Sequence, residues 1–202
     1  MSHHIYHTRG LILGSTQTGE SNRFYKIFTE ELGLVGATAQ SVREGKSKLR
    51  YVLQNFSWIT VDLVRGREVW RITSAGEERI MPYIKNSDVC MKLFARACSL
   101  VSRLVHGEGQ NKDLFNELAS LTAFLESGAF NVDLESSFET LMALRILVHL
   151  GYQDGRPYEA FLNQGLWSNE ILEKKKKIRL DTIPRINEAL TAQTQVQNAL
   201  AS

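Results

Sequence analysis

The feature that most restricts this chain is a change of hydrophobic period near residue 80. Before it, apolar residues come in short β-branched and aromatic runs broken by glycine. After it, they recur every three or four positions. Alternation buries one face of a strand and a 3.6-residue period buries one stripe of a helix, so the two halves require different architectures. Strands followed by helices predict an α+β protein of two packed domains, residues 1–80 and 81–202.

In the first part, residues 10–14 (GLILG), 23–29 (RFYKIFT) and 34–42 (LVGATAQSV) read as three strands, with Gly33 supplying the second turn. Residues 47–56 (SKLRYVLQNF) follow helical spacing through Leu49, Val52, Leu53 and Phe56, behind Ser47 as N-cap. Residues 58–64 (WITVDLV) alternate, with Ile59, Val61 and Leu63 on one face and Trp58, Thr60 and Asp62 on the other. The loop 65–68 leads to a fifth strand at 69–73. Three strands, a short helix and a hairpin are the element order of an OB-fold β-barrel.

In the second part, Val89, Leu93, Ala97, Leu100 and Leu104 form one stripe of a long amphipathic helix. Leu114, Leu118, Leu121 and Leu125 repeat the pattern behind Asn111 as N-cap. Residues 138–150 are apolar nearly all round and read as the most buried helix, closed by Gly151. Further helices are expected at 158–164 and from 169 onward, with Pro184 interrupting the last and the tail beyond residue 190 fraying.

Composition narrows the function classes. Hydrophobic residues make up 43% and charged residues 23%, ordinary values for a globular chain. No apolar run reaches the roughly 18–20 residues that cross a bilayer. The opening MSHHIYHTRG lacks the apolar core of a secretory signal, so a soluble, cytoplasmic protein with no membrane partner is expected. Two cysteines cannot build a disulfide framework or a four-thiolate zinc site. Cys90 and Cys98, eight apart on one helical stretch, read as small buried apolar residues.

The most enzyme-like string is residues 14–21, GSTQTGES, which fits a GxxxxGK[ST] phosphate loop except that Glu20 replaces the lysine. A carboxylate there repels the phosphates that a lysine attracts, and the following segment reads as strand rather than helix. The string is therefore expected to be a turn between strands. His3, His4 and His7 lie without a cysteine or carboxylate to complete a metal site and read as ordinary histidines. Arg145 and His149 share one helix face, as a buried pair or as hydrogen-bonded residues at the helix edge. No acid, base and nucleophile assemble, so no catalytic residue, cofactor or metal is expected, and the protein is read as no enzyme.

The strongest functional signal is charge interleaved with aromatics. Residues 1–80 carry 11 basic and 8 acidic residues, whereas 81–202 carry 13 and 14. Within residues 43–71, Arg43, Lys46, Lys48, Arg50, Arg65, Arg67 and Arg71 face only Glu44, Asp62 and Glu68. Tyr51, Phe56, Trp58 and Trp70 lie among them. Single-strand binding by an OB fold needs cations along phosphates and flat rings under bases, and Trp58, opposite the inward face, is a candidate ring. The lysine run 174–177 points all round a helix and reads as a solubilising segment or an auxiliary phosphate contact.

These segments also carry a resemblance. GESNRFYKIFTEELG, the basic stretch ending in Ser47-Lys48-Leu49-Arg50, and LQNFSWITVDLVRG occur in the order seen in the N-terminal domain of the bacterial recombination mediator RecO. The resemblance covers residues 5–76, and the helical remainder agrees in order and length. It implies a non-enzymatic role in DNA repair and homologous recombination in the RecF pathway. Its elements are binding single- and double-stranded DNA, annealing complementary strands and helping to load recombinase. The implied partners are RecR and the C-terminal tail of single-strand-binding protein, and the implied location is the nucleoid. Arg43, Lys46, Lys48 and Arg50 match the family's basic region after the third strand. Arg65 and Arg67 join them by charge and hairpin position. Many family members carry a four-cysteine zinc motif that this sequence lacks, so zinc is not expected. The alternative is a generic OB-fold module that binds single-stranded DNA or RNA without annealing it.

Overall fold

A computed structural model describes residues 4–42, 47–162 and 167–176. Five strands form a closed barrel: β1 (Ile5–Thr18), β2 (Asn22–Thr29), β3 (Gly33–Ala39), β4 (Trp58–Arg65) and β5 (Trp70–Arg79), in the order β1-β2-β3-β5-β4. Neighbours are antiparallel except β3 and β5, which close the barrel through a short parallel pairing, Ala37 opposite Trp70 and Thr38 opposite Arg71. This is an OB-like barrel followed by helices. The GSTQTGES string continues β1 to Thr18, with its partners on β2, and turns at Gly19, whose φ is +65°. Its backbone N–H groups thus belong to a hairpin rather than to a phosphate cradle.

Alternation fills the interior with Ile12, Tyr25, Ile27, Val35, Ala37, Ile59, Val61, Leu63, Trp70 and Ile72. Between β3 and β4 the helix is shorter than its spacing suggests. Helix α1 spans Leu49–Val52, and its N-cap is Lys48, without a side-chain hydrogen bond, rather than Ser47. Leu53 leaves the helical conformation and Phe56 adopts φ +66°, because Leu53 must turn into the core, where it is 1% exposed.

The contacts group into two units that are not contiguous in sequence, whereas the period change marks a single division near 80. One unit joins residues 1–81 to 101–115, the other 82–100 to 116–202. Side-chain contacts explain why 101–115 groups with the barrel. The register aligns Phe28, Leu11 and Trp58 across β2, β1 and β4 on the barrel's outside, and all three are buried. Phe115 covers them, its ring edge-on to Trp58 at 5.2 Å and tilted to Phe28 at 6.1 Å. Gly33, with φ +71°, approaches the backbone of Gly109 so closely that a Cβ would lie 2.2 Å from its carbonyl oxygen.

The helices are α2 (Pro82–Asn86), α3 (Asp88–Leu104), α4 (Lys112–Glu126), α5 (Glu135–His149), α6 (Glu159–Leu162) and α7 (Asn169–Lys176). Asn111 caps α4 by accepting from the Leu114 N–H at 2.9 Å, as its sequence position predicts. Gly151, at φ +74°, closes α5, and the Tyr152 N–H reaches back to the Leu147 carbonyl. In the second unit, the carboxylate of Glu126 accepts the N–H groups of Tyr83 and Ile84, completing the first turn of α2. Cys90 and Cys98 are buried and unpaired, and burial pushes the Cys98 thiol up. The expected helix at 158–164 appears as a 3-10 turn at Arg156–Tyr158 running into α6; residues 163–166, Pro184 and the tail lie outside the described residues.

The centre of this unit contains an ion pair. Arg145 on α5, 1% exposed, donates to Glu117 at 2.9 Å and to the Phe161 carbonyl at 2.8 Å. Trp167 donates its indole N–H to Glu117 at 2.7 Å, and the Arg145 guanidinium lies 4.7 Å from the Trp167 ring centre. His149 Nε2 stands 3.7 Å from the second carboxylate oxygen. Arg145 is thus buried and His149 partly buried at the end of α5, and both face the Glu117 carboxylate on α4.

Burial works against a charged Glu117, yet His149, Arg145 and Trp167 outweigh it and hold the carboxyl below its ordinary value. A depressed acid contributes stability above its unfolded-state value of about 4.3, and that contribution is lost as pH falls through the folded value. Removing the charge strands Arg145 in the interior. Glu117→Gln is therefore expected to lose about 3–5 kcal/mol at pH 7. In urea denaturation followed by circular dichroism, the gap to the unmodified protein should narrow below about pH 4. A difference under about 1 kcal/mol at pH 7 would contradict this role.

Candidate nucleic-acid interface

The turn end of the β4–β5 hairpin carries three arginines. Arg65 ends β4, Arg67 lies in the loop and Arg71 follows Trp70 on β5. Alternation sends Trp70 and Ile72 into the core and Arg71 outward. Val64, Arg65, Gly66, Arg67 and Arg71 line a groove of about 340 Å³.

The three arginines are not equivalent. Arg65 is paired with Glu108 and its guanidinium lies 5.0 Å from the Trp70 ring centre. The Trp70 indole N–H donates to the other Glu108 oxygen at 2.9 Å. Partial burial works against a charged Glu108, but Trp70 and Arg65 prevail and keep it below the ordinary carboxylate value. Arg65 is thereby held in place with its charge partly offset. Among the described residues no carboxylate pairs with Arg67 or Arg71, and both are exposed.

A second basic site lies at the barrel's mouth. Arg50, exposed on α1, lines a cleft of about 360 Å³ with Gln17, Arg23, Tyr25, Val42 and Leu53. Lys48 is exposed just before α1. Arg43 and Lys46 lie outside the described residues, as does Lys177, while Lys174 pairs with Glu170 one turn back on α7. Register links the two basic sites: Arg71 is opposite Thr38, and Thr38 is opposite Phe24, the neighbour of Arg23. Two strand spacings, about 10 Å, therefore separate the Arg71 and Phe24 backbones.

Trp58 is not exposed as expected. It is 1% exposed, because Phe115 covers the outer face on which alternation places it. The Arg79 guanidinium lies 5.6 Å from its ring centre. Phe24 is the aromatic residue left half-buried on the outside of β2, beside Lys26 and Thr38. Its ring lies over Gly36, where a Cβ would come within 2.6 Å. The alternation of RFYKIFT, with Tyr25 and Ile27 inward, already points Phe24 and Lys26 outward, although Phe28 on the same face is covered.

Residues 1–77 match the family model described as the N-terminal domain of recombination protein O. The N-terminal part of the chain is RecO-like. The DNA repair protein RecO of Dehalococcoides mccartyi strain CBDB1 is 31% identical over 126 residues, covering 62% of this chain and 50% of the relative. That of Desulfitobacterium hafniense strain DCB-2 is 26% identical over 149 residues, 74% of this chain and 53% of the relative. That of Rubrobacter xylanophilus is 28% identical over 149 residues, 73% and 58%. The chain spans about half the length of these RecO relatives. Among the described residues, no helix is long and apolar enough to cross a membrane, and no cluster of three or more His, Cys, Asp or Glu could hold a metal ion.

The role of Trp58 can be separated from binding. Trp58→Ala should destabilise the protein by about 3–5 kcal/mol through the cavity it leaves. Trp58→Phe retains a ring against Phe115 and should leave the affinity for a fluorescent oligonucleotide within about twofold, measured by anisotropy. A folded Trp58→Phe variant with strongly weakened binding would restore Trp58 as a ligand contact.

Proposed function

We propose that this protein is a RecO-type mediator of DNA repair and recombination that binds single- and double-stranded DNA through the basic surface of its barrel. The observation that carries the reading is the groove in which Arg65, Arg67 and Arg71 converge, two of them without a carboxylate partner among the described residues. Lys48 and Arg50 extend the positive surface beyond the hairpin. The names of the RecO relatives support a repair role for it.

No bond need be made or broken for this activity. Guanidinium and ammonium groups neutralise phosphates and release condensed counterions, so affinity falls steeply with salt. Two complementary strands whose charge is screened in this way repel each other less, and pairing accelerates while base edges stay free. Assistance in recombinase loading, with RecR and the tail of single-strand-binding protein as partners, belongs to the same reading and rests on the family resemblance.

The test is anisotropy with a fluorescent single strand across a salt series. Changing Arg67 and Arg71 together to Gln should weaken binding at least about tenfold and reduce the slope of log affinity against log salt by about one to two. Glu108→Gln, which removes the opposing charge beside Arg65, should strengthen it. The unmodified protein should also speed the pairing of complementary labelled strands. Binding without faster pairing would favour the generic module, and an unchanged slope in the double variant would refute the groove.

A further inference from the structure

We propose that the mouth of the barrel is a phosphate-binding cleft in which Arg23 and Arg50 together hold one phosphate group. The inference deepens the nucleic-acid reading above: the phosphate is taken to be a phosphodiester of the bound strand.

Arg23 is absent from the basic stretch that sequence reasoning singles out, because it stands in β2 among aromatic and apolar residues. Folding brings it to Arg50. Its register partners are Gln17 on β1 and Ala39 on β3, so its backbone is held on both sides. The neighbouring Asn22 accepts the Ser41 N–H at 3.0 Å, tying the start of β2 to the end of β3. Arg50 comes from α1, anchored beneath by Leu53 in the barrel core. Two cations from separate elements thus line one cleft of about 360 Å³, room for a phosphate with part of its sugar.

The rest of the lining fits an anion. Val42 and Leu53 are apolar, and Gln17 and Tyr25 carry no charge, so among the described residues the two guanidiniums are the charged groups of the wall. Gln17 donates its amide N–H to the Gly19 carbonyl at 3.3 Å and acts as wall rather than ligand. Burial pushes the Tyr25 phenol up, and Arg23 pulls it part of the way back. The phenol therefore keeps its proton at neutral pH and adds no negative charge. Among the described residues no carboxylate pairs with Arg23 or Arg50. Two like charges sharing a cleft repel, and an anion between them removes that repulsion. The fork of N–H donors on each guanidinium suits tetrahedral phosphate oxygens better than a single point charge does.

The experiment uses the whole chain with two probes, a fluorescent oligothymidylate and inorganic pyrophosphate. Arg23→Gln and Arg50→Gln should each weaken oligothymidylate binding about five- to tenfold and lower the salt slope by about one, with Tm close to the unmodified value. Pyrophosphate should raise the Tm of the unmodified protein and do so less in either variant. Arg50 is exposed on a short helix, so its variant tests the cleft even if Arg23→Gln fails to fold. Should Arg23→Gln and Arg50→Gln bind like the unmodified protein while the hairpin double variant is impaired, the cleft proposal falls and the nucleic-acid reading stands. Should oligothymidylate not bind at all while pyrophosphate still protects through Arg23 and Arg50, the cleft stands and the nucleic-acid reading falls.

Discussion

The structure of the barrel depends on how it is closed. Strand β1 pairs antiparallel with β2 and β4, β2 with β3, and β4 with β5, but the sheet becomes a barrel through two parallel pairs, Ala37 with Trp70 and Thr38 with Arg71. This junction fixes the alternation of β5. Trp70 enters the core, where its ring meets Tyr6 edge-on at 5.1 Å, and its indole N–H reaches Glu108. Arg71 is consequently turned outward beside Thr38. Shifting the register by one residue would bury an arginine and expose a tryptophan, so closure and the basic surface are set together.

Much of this was legible in the residues. The change of period at 80, the clean alternation of WITVDLV, the Asn111 cap and the Gly151 stop each reflect a local preference that the tertiary structure respects. Where the reading failed, a long-range contact overrode a local one. Trp58 does lie outside the barrel, as alternation implies, but Phe115, far along the chain, covers it. The helix expected over 47–56 is cut to one turn because Leu53 is needed in the core. Arg145 shows the same limit. Its spacing from His149 was visible, whereas its burial depends on Glu117 and Trp167, which spacing does not reveal.

The candidate site divides along the same line. Counting charge finds Arg65, Arg67 and Arg50, but cannot show that Glu108 partly offsets Arg65 or that Arg71 completes the groove. It passes over Arg23, which acquires its setting only when β2 and α1 meet at the barrel's mouth. In the proposed site, the cations expected to contribute most are those without a carboxylate partner among the described residues, since a paired guanidinium gives less to a phosphate than a free one.

In the proposed complex a polyanion lies on the barrel, along the hairpin and across to its mouth. Nitrogen-15 NMR of the protein titrated with a short oligothymidylate tests it most directly. The side-chain Nε resonances of Arg23, Arg67 and Arg71 are expected to shift together, with the backbone of residues 64–71, in a manner reversed by salt. Shifts confined to residues 116–162, with those arginine signals unmoved, would contradict it.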